Sequence, residues 1–101
     1  MRPGTYFDIE FELAGSATVK TAMRSGDEAE VFEFAKKNLL PNSALLVACL
    51  GDGVDYGNLI IEVDAQGTTQ VRAFEHRGFI VKDVSLEQAL SVLEYWLPSQ
   101  D

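Results

Sequence analysis

Hydrophobic and polar residues alternate strictly near the start of the chain. Between Tyr6 and Leu13 every second residue is apolar, and the residues between these apolar positions are acidic. This period of two is typical of a strand that is buried on one side. A turn at 14–16 then predicts a second strand over 17–24, and a three-residue loop at this turn places Phe11 opposite Val19.

A capping signal after the second strand predicts the first helix. Ser25 stands three residues before Glu28, which is the spacing of a capping box with Ser25 as the N-cap. The helix is expected to run to about Leu39, because Pro41 cannot continue it. One stripe of residues recurs with helical spacing, and it consists of Val31, Phe34, Ala35 and either Asn38 or Leu39.

Four further strands are predicted after this helix. The uninterrupted apolar run from Ala44 to Leu50 indicates a strand that is covered on both faces or central in a sheet. A glycine-rich loop is expected over 51–57. The following strands are expected over 59–63, 68–74 and 79–83, with three-residue hairpin loops at 65–67 and 76–78. Strands joined by such short loops form an antiparallel meander.

The last helix carries the clearest local signals. Ser85 and Gln88 have the spacing of a capping box, and Pro98 ends the helix. Its buried stripe is predicted to contain Leu86, Ala89, Leu90, Leu93, Trp96 and Leu97. The element order is therefore ββαββββα, which predicts a single α+β domain over 1–101 with an antiparallel sheet of about six strands and two helices.

Composition narrows the classes of function. The chain has 101 residues and a net charge of -8, from 16 acidic and 8 basic residues. This balance disfavours binding to nucleic acid or to an anionic membrane, because both need a cationic surface. Residues 51–101 carry nine acids and three bases, so a basic protein would be steered toward this half. The alternative is that the acidic surface only favours solubility.

The sequence offers few groups for catalysis or for metal binding. The single histidine, His76, falls in a predicted hairpin loop, and the single cysteine, Cys49, falls in an apolar strand, so we do not expect the two to meet. Asp52, Asp55 and Asn58 form an oxygen-rich loop, but their spacing lacks the pattern of a calcium-binding loop. We therefore expect no catalytic site, no cofactor and no metal.

The location of the protein is expected to be cytoplasmic. A single cysteine permits no intramolecular disulfide, which fits a reducing compartment. The N-terminus has no apolar signal-peptide stretch, and the longest apolar run is too short to span a bilayer. The oligomeric state is left open by these observations.

Apolar residues on the polar face of the meander predict a binding surface. The expected hairpins place Ile60 opposite Arg72 and Phe74 opposite Ile80, on the face away from the core. An apolar centre with a charged rim is typical of a protein interface. The alternative is that the first helix or the opening hairpin covers this patch. The residues predicted to bind a partner are Asp52, Asp55, Ile60, Glu62, Asp64, Arg72, Phe74 and Ile80.

The layout of the chain over roughly 45–97 resembles a known class of bacterial proteins. Its elements are a meander that contains the segments 57–61 (GNLII) and 72–75 (RAFE), followed by an amphipathic helix that starts with 84–90 (VSLEQAL) and ends with 95–97 (YWL). In this layout the chain is similar to the small immunity proteins of polymorphic-toxin and contact-dependent-inhibition systems. The resemblance implies an acidic, cytosolic α+β protein that binds and blocks one secreted toxin domain. It transfers no site residues, because contact residues in such proteins vary with the toxin.

Two functions from different classes follow from these observations. The first is an immunity protein that occludes the active or substrate-binding surface of a cognate toxin, for which a nuclease is the expected class because nucleases are basic. The alternative is an interaction subunit or a phage-encoded inhibitor of another host enzyme, acting as a nucleic-acid mimic. A small enzyme is disfavoured by the shortage of catalytic groups.

Overall fold

A computed structural model describes residues 4–13, 19–74 and 78–98, and its elements follow the order β-β-α-β-β-β-β-α. The predicted α+β class and element order are confirmed. The elements are β1 (Tyr6–Leu13), β2 (Val19–Ser25), α1 (Glu28–Asn38), β3 (Ser43–Gly51), β4 (Val54–Val63), β5 (Thr69–Phe74), β6 (Phe79–Val84) and α2 (Leu86–Trp96).

The six strands form one antiparallel sheet in the order β2-β1-β3-β4-β5-β6. The predicted pairing of Phe11 with Val19 is confirmed, although the β1–β2 register shifts between Ile9 and Phe11. The predicted loop at 14–16 lies outside the described residues. β3 lies inside the sheet, and its residues alternate between buried and half-buried. Its apolar run therefore reflects a central strand, and not a strand that is covered on both faces.

Both helices pack on the same face of the sheet. The Phe7 ring on β1 contacts Trp96 of α2 at a centroid distance of 6.3 Å, and Phe11 contacts Phe34 of α1 at 6.2 Å. β1 therefore lies beneath both helices. The core between the helices and the sheet is apolar, and its fully buried large side chains include Phe7, Ile9, Val31, Leu45, Val47, Leu59, Ile61, Val71, Leu93 and Leu97.

The connection between β3 and β4 is a two-residue turn, so the predicted loop over 51–57 is wrong. Asp52 and Gly53 have φ angles of 50° and 74°, and Gly51 pairs directly with Val54. Two consecutive positive φ angles characterise the type I′ hairpin turn, for which Asp-Gly is a preferred pair. β4 consequently starts at Val54, and residues 54–57 of the predicted loop belong to this strand.

The start of α1 also differs from the prediction. Asp27 is the N-cap, because its Oδ1 accepts the backbone N–H of Ala29 at 2.9 Å. Ser25 is instead the last residue of β2, opposite Phe7, and its hydroxyl accepts the N–H of Asp27 at 2.9 Å. The predicted capping box of Ser25 and Glu28 is therefore wrong, because strand pairing holds Ser25 in the sheet.

Two other local predictions are confirmed. Ser85 caps α2, with the Gln88 N–H donating to the Ser85 hydroxyl at 3.1 Å and the Ser85 N–H donating to the Gln88 side chain at 2.8 Å. In the β4–β5 hairpin Gly67 has a φ of 86°, and its N–H donates to the carbonyl of Asp64. Both elements are specified by residues close together in the sequence.

The edge strand β6 contains a bulge. Thr69 lies opposite Val84 and Val71 lies opposite Val81, so β6 has one more residue than β5 between these two pairs. Asp83, within this interval, has a φ of 57°. An extra residue in one strand bends it and increases its twist. Among the described helices, none is long and apolar enough to cross a membrane.

Candidate protein-binding surface

The side of the sheet that faces away from both helices is a continuous surface, which we call the open face. One row of opposed residues crosses it from β1 to β6 and runs Glu10, Leu46, Ile60, Arg72 and Ile80. The helices and the buried core lie on the other side. The alternative that the first helix covers the apolar patch is therefore not what the described residues show.

The apolar part of the open face lies on its β4–β6 side. Phe74 and Ile80 are 42% and 59% exposed, which is unusual for large apolar side chains in the middle and edge of a sheet. Ile60 is half-buried beside them and lies opposite Arg72, as predicted. These three side chains form the apolar centre of the open face.

The pairing predicted between Phe74 and Ile80 is wrong. Ile80 lies opposite Arg72, and Phe79 lies opposite Ala73, so the observed register differs from the predicted one by two residues. The residues 75–77 of this hairpin, with His76 among them, lie outside the described residues. Because side chains alternate between the two faces with a period of two, a shift of two residues keeps every side chain on its face. Phe74 and Ile80 consequently still share the open face.

A charged group lies within the apolar centre, because Arg72 is opposite Ile60 on one side and opposite Ile80 on the other. Arg72 Nη2 lies 3.1 Å from Glu62 Oε1, and the guanidinium carbon of Arg72 lies 5.8 Å from the centre of the Phe74 ring. The Arg72 Nε atom is buried and has no hydrogen-bond partner within the described part of the chain. The guanidinium thus connects a carboxylate to an exposed aromatic ring in one half-exposed cluster.

A groove of about 230 Å³ runs along the open face between β1 and β5. We call it the β3 groove, because Ala44 and Leu46 of β3 form its floor together with Ile60. Its walls carry three carboxylates and one guanidinium, which gives the lining a net charge of -2. These four charged residues are Glu10, Glu12, Glu62 and Arg72.

The predicted acidic residues do not form one patch. Asp52 lies in the turn before β4 and Asp55 near the start of the strand, whereas Glu62 lies near its end and Asp64 directly follows it. The seven residue steps from Asp55 to Glu62 span about 23 Å at the rise of a strand. The structure thus places Glu62 with the apolar centre and separates Asp52 and Asp55 from it.

Two of these carboxylates support local structure. Asp55 Oδ1 accepts the N–H of Gly57 at 3.0 Å, and its Oδ2 accepts the Asn58 side-chain amide at 2.9 Å. Asp64 Oδ1 accepts two backbone N–H groups of the following turn, each at 2.9 Å. Asp55 therefore supports the irregularity in β4 at which the register with β3 shifts, and Asp64 supports the β4–β5 turn.

Sequence reasoning missed the contribution of β1 and β3 to this surface. The alternation predicts that Glu10 and Glu12 lie on the polar side of β1, but nothing local indicates that β1 lies beside β3. The alternation does show which residues of β1 are polar. The pairing of β1 with β3, which is distant in the sequence, places Glu10 opposite Leu46 and Glu12 opposite Ala44.

The groups considered for chemistry lie apart from this surface. Cys49 is fully buried on the helix-covered side of β3. Within the residues that the structure describes, no group of three or more histidine, cysteine, aspartate or glutamate side chains is arranged to hold a metal ion.

Comparison of the chain with protein-family models, curated proteins and solved structures gives no significant match.

Proposed function

We propose that this protein is an immunity protein, a stoichiometric inhibitor that binds a basic toxin domain through the open face. The observation that supports this proposal is an uncovered sheet face with an apolar centre and charged neighbours. The mechanism is occlusion of the toxin's active or substrate-binding surface, and no chemical step is carried out by this chain.

The open face has the organisation of a protein interface. Interfaces bury an apolar core and keep a polar rim in contact with water. Phe74 and Ile80 supply exposed apolar area, and Arg72, which is paired with Glu62, lies between Ile60 and Ile80. Aromatic and arginine side chains are the types that contribute most to binding energy at interfaces. Phe74 and Arg72 are therefore the expected anchors.

Charge favours a basic partner. A net charge of -8 on a chain of this size attracts cationic proteins and accelerates their association. Nuclease toxins are cationic because they bind a polyanion, so an acidic inhibitor can cover the same surface that holds the substrate. The proposed location is the cytoplasm of a bacterium, where such a toxin would act.

The second candidate function is inhibition of another enzyme by mimicry of nucleic acid. It is favoured by the file of Asp8, Glu10 and Glu12, whose side chains project from one face of β1 at intervals of about 7 Å. Asp8, however, pairs with Arg24 at 3.3 Å, which removes one charge from the file. The immunity function is therefore preferred.

Co-expression provides the experiment. The products of the genes that adjoin the gene for this chain would each be expressed alone and together with it, and growth would be measured. We expect the wild-type chain and the variant His76→Ala to restore growth, and Phe74→Asp to fail. Tyr95→Asp is the matched control, because Tyr95 is 78% exposed on α2, on the other side of the molecule.

Four results would contradict the proposal. A neighbouring protein without toxicity would remove the immunity function, and so would a toxic domain that this chain does not neutralise. Loss of protection by Tyr95→Asp but not by Phe74→Asp would place the interface on α2. Loss of protection by His76→Ala with binding retained would indicate a chemical role.

A further inference from the structure

We propose that the β3 groove receives a cationic side chain, an arginine or a lysine, from the partner protein. This inference deepens the proposed function, because it identifies the chemical group of the partner that the open face recognises. It depends on the geometry of Glu10, Glu12, Ala44, Leu46 and Ile60, and that geometry can be tested without the partner.

The floor of the groove is shaped by a small residue. Ala44 lies opposite Glu12 on one side and opposite Glu62 on the other. The Cα atoms of the two glutamates are therefore two strand spacings apart, about 10 Å. An alanine between two longer side chains leaves a depression that is open to solvent and flanked by carboxylates.

The neighbouring row makes the floor apolar. Leu46 and Ile60 lie directly opposite each other, and both are half-buried in the groove. Arginine and lysine have aliphatic stems that pack on apolar surface while their charged ends stay in a polar environment. A small hydrated cation gains nothing from such a floor, whereas a long cationic side chain uses both the floor and the walls.

The charge of the walls is not neutralised within the described part of the chain. Arg72 pairs with Glu62, but Glu10 and Glu12 make no hydrogen bond or ion pair with any described side chain. With three carboxylates and one guanidinium, the lining keeps a net charge of -2. Charge complementarity therefore selects a cationic occupant over a second copy of this acidic chain.

The experiment is an NMR titration of the ¹⁵N-labelled protein at low salt. The probe is Nα-acetyl-arginine N-methylamide, and the matched neutral probe is the corresponding citrulline derivative. We expect the arginine probe to shift the amide signals of Ala44, Leu46 and Ile60, with the citrulline probe at least about fivefold weaker. The equivalent lysine probe should shift the same signals.

Variants test which carboxylates hold the probe. The double change Glu10→Gln and Glu12→Gln should raise the Kd of the arginine probe by about tenfold, since two charge-assisted contacts are lost. The control is the double change Glu30→Gln and Glu33→Gln, which removes the same charge from exposed positions on α1. It should leave the Kd within about twofold. Unchanged amide spectra in the absence of probe would show that each variant keeps its fold.

Several outcomes would overturn the inference. These are shifts confined to 52–55, equal shifts with citrulline, equal weakening by the α1 variant, or no shift in the groove up to the solubility limit of the probe. The result is separable from the proposed function. A groove that binds arginine stands even if no toxin is neutralised. If Glu10→Gln and Glu12→Gln leave toxin binding and probe binding unchanged, only the groove assignment falls.

Discussion

Glu62 and Arg72 lie diagonally across β4 and β5, and their side chains meet at 3.1 Å beside the apolar centre of the open face. Each side chain is partly exposed, at 49% and 37% respectively. Solvent screens a pair of this kind, so its contribution to the free energy of unfolding is small. The ion pair instead orients the Arg72 side chain, because it holds the guanidinium near the Phe74 ring.

A double-mutant cycle should therefore show weak coupling in the free protein. With Glu62→Gln and Arg72→Gln, we expect a coupling of about 0.2–1 kcal/mol in the free energy of unfolding by urea. The coupling should decrease when salt is raised. A coupling of several kcal/mol would show that the pair is a structural element of the fold and not a surface contact.

Leu93 tests the packing of α2 on the sheet. Its side chain is fully buried, so Leu93→Ala removes apolar contacts and leaves a cavity. We expect a loss of about 2–5 kcal/mol in the free energy of unfolding, measured by urea denaturation. Leu40→Ala is the control, because Leu40 is 53% exposed and should change stability by about 0.5 kcal/mol or less. Similar losses for both variants would contradict this assignment.

The β3–β4 turn provides a test of backbone conformation. Gly53 has a φ of 74°, and an alanine at this position would be held in the left-handed region. Gly53→Ala should destabilise the protein by about 1–2 kcal/mol, as measured by thermal or urea unfolding. Asp52→Asn is the matched change, because asparagine tolerates the positive φ of this position. We expect it to be nearly neutral, and a loss equal to that of Gly53→Ala would argue against a type I′ turn.

Binding kinetics should separate the two groups of predicted partner-binding residues. Phe74→Ala should mainly raise the dissociation rate of the toxin complex, because buried aromatic anchors determine how long a complex lasts. Asp52→Asn should mainly slow association, and its effect should shrink at high salt, since this carboxylate lies away from the apolar centre. Surface plasmon resonance at two salt concentrations measures both rates. Unchanged association at low salt would exclude a steering role for Asp52.

Local sequence signals predicted the elements whose determinants are close together in the chain. The strict alternation defined β1 with the bounds Tyr6–Leu13, and the Ser85–Gln88 pair defined the start of α2. The signal of a type I′ turn was also present in Asp52-Gly53, but the surrounding glycines favoured a longer loop. The cap of α1 failed for another reason: strand pairing holds Ser25 in β2, so Asp27 takes the capping role.

The candidate site could be predicted only in part. Period-two alternation predicted that Ile60, Phe74 and Ile80 lie on one face. The predicted β5–β6 register was wrong by two residues, and an error of two leaves each side chain on the same face. The β3 groove could not be predicted, since it depends on β1 lying next to β3. Neighbours that are distant in the sequence leave no periodic signal in either strand.

The bulge in β6 bears on how this molecule avoids aggregation. A sheet with an exposed apolar face and a straight outer strand would invite addition of further strands from other molecules, as in amyloid. The positive φ of Asp83 interrupts the regular ladder at that edge, and Lys82 beside it adds charge. Addition of further strands at the β6 edge is thereby discouraged, so recognition of other proteins at this side of the sheet is left to side chains on the open face.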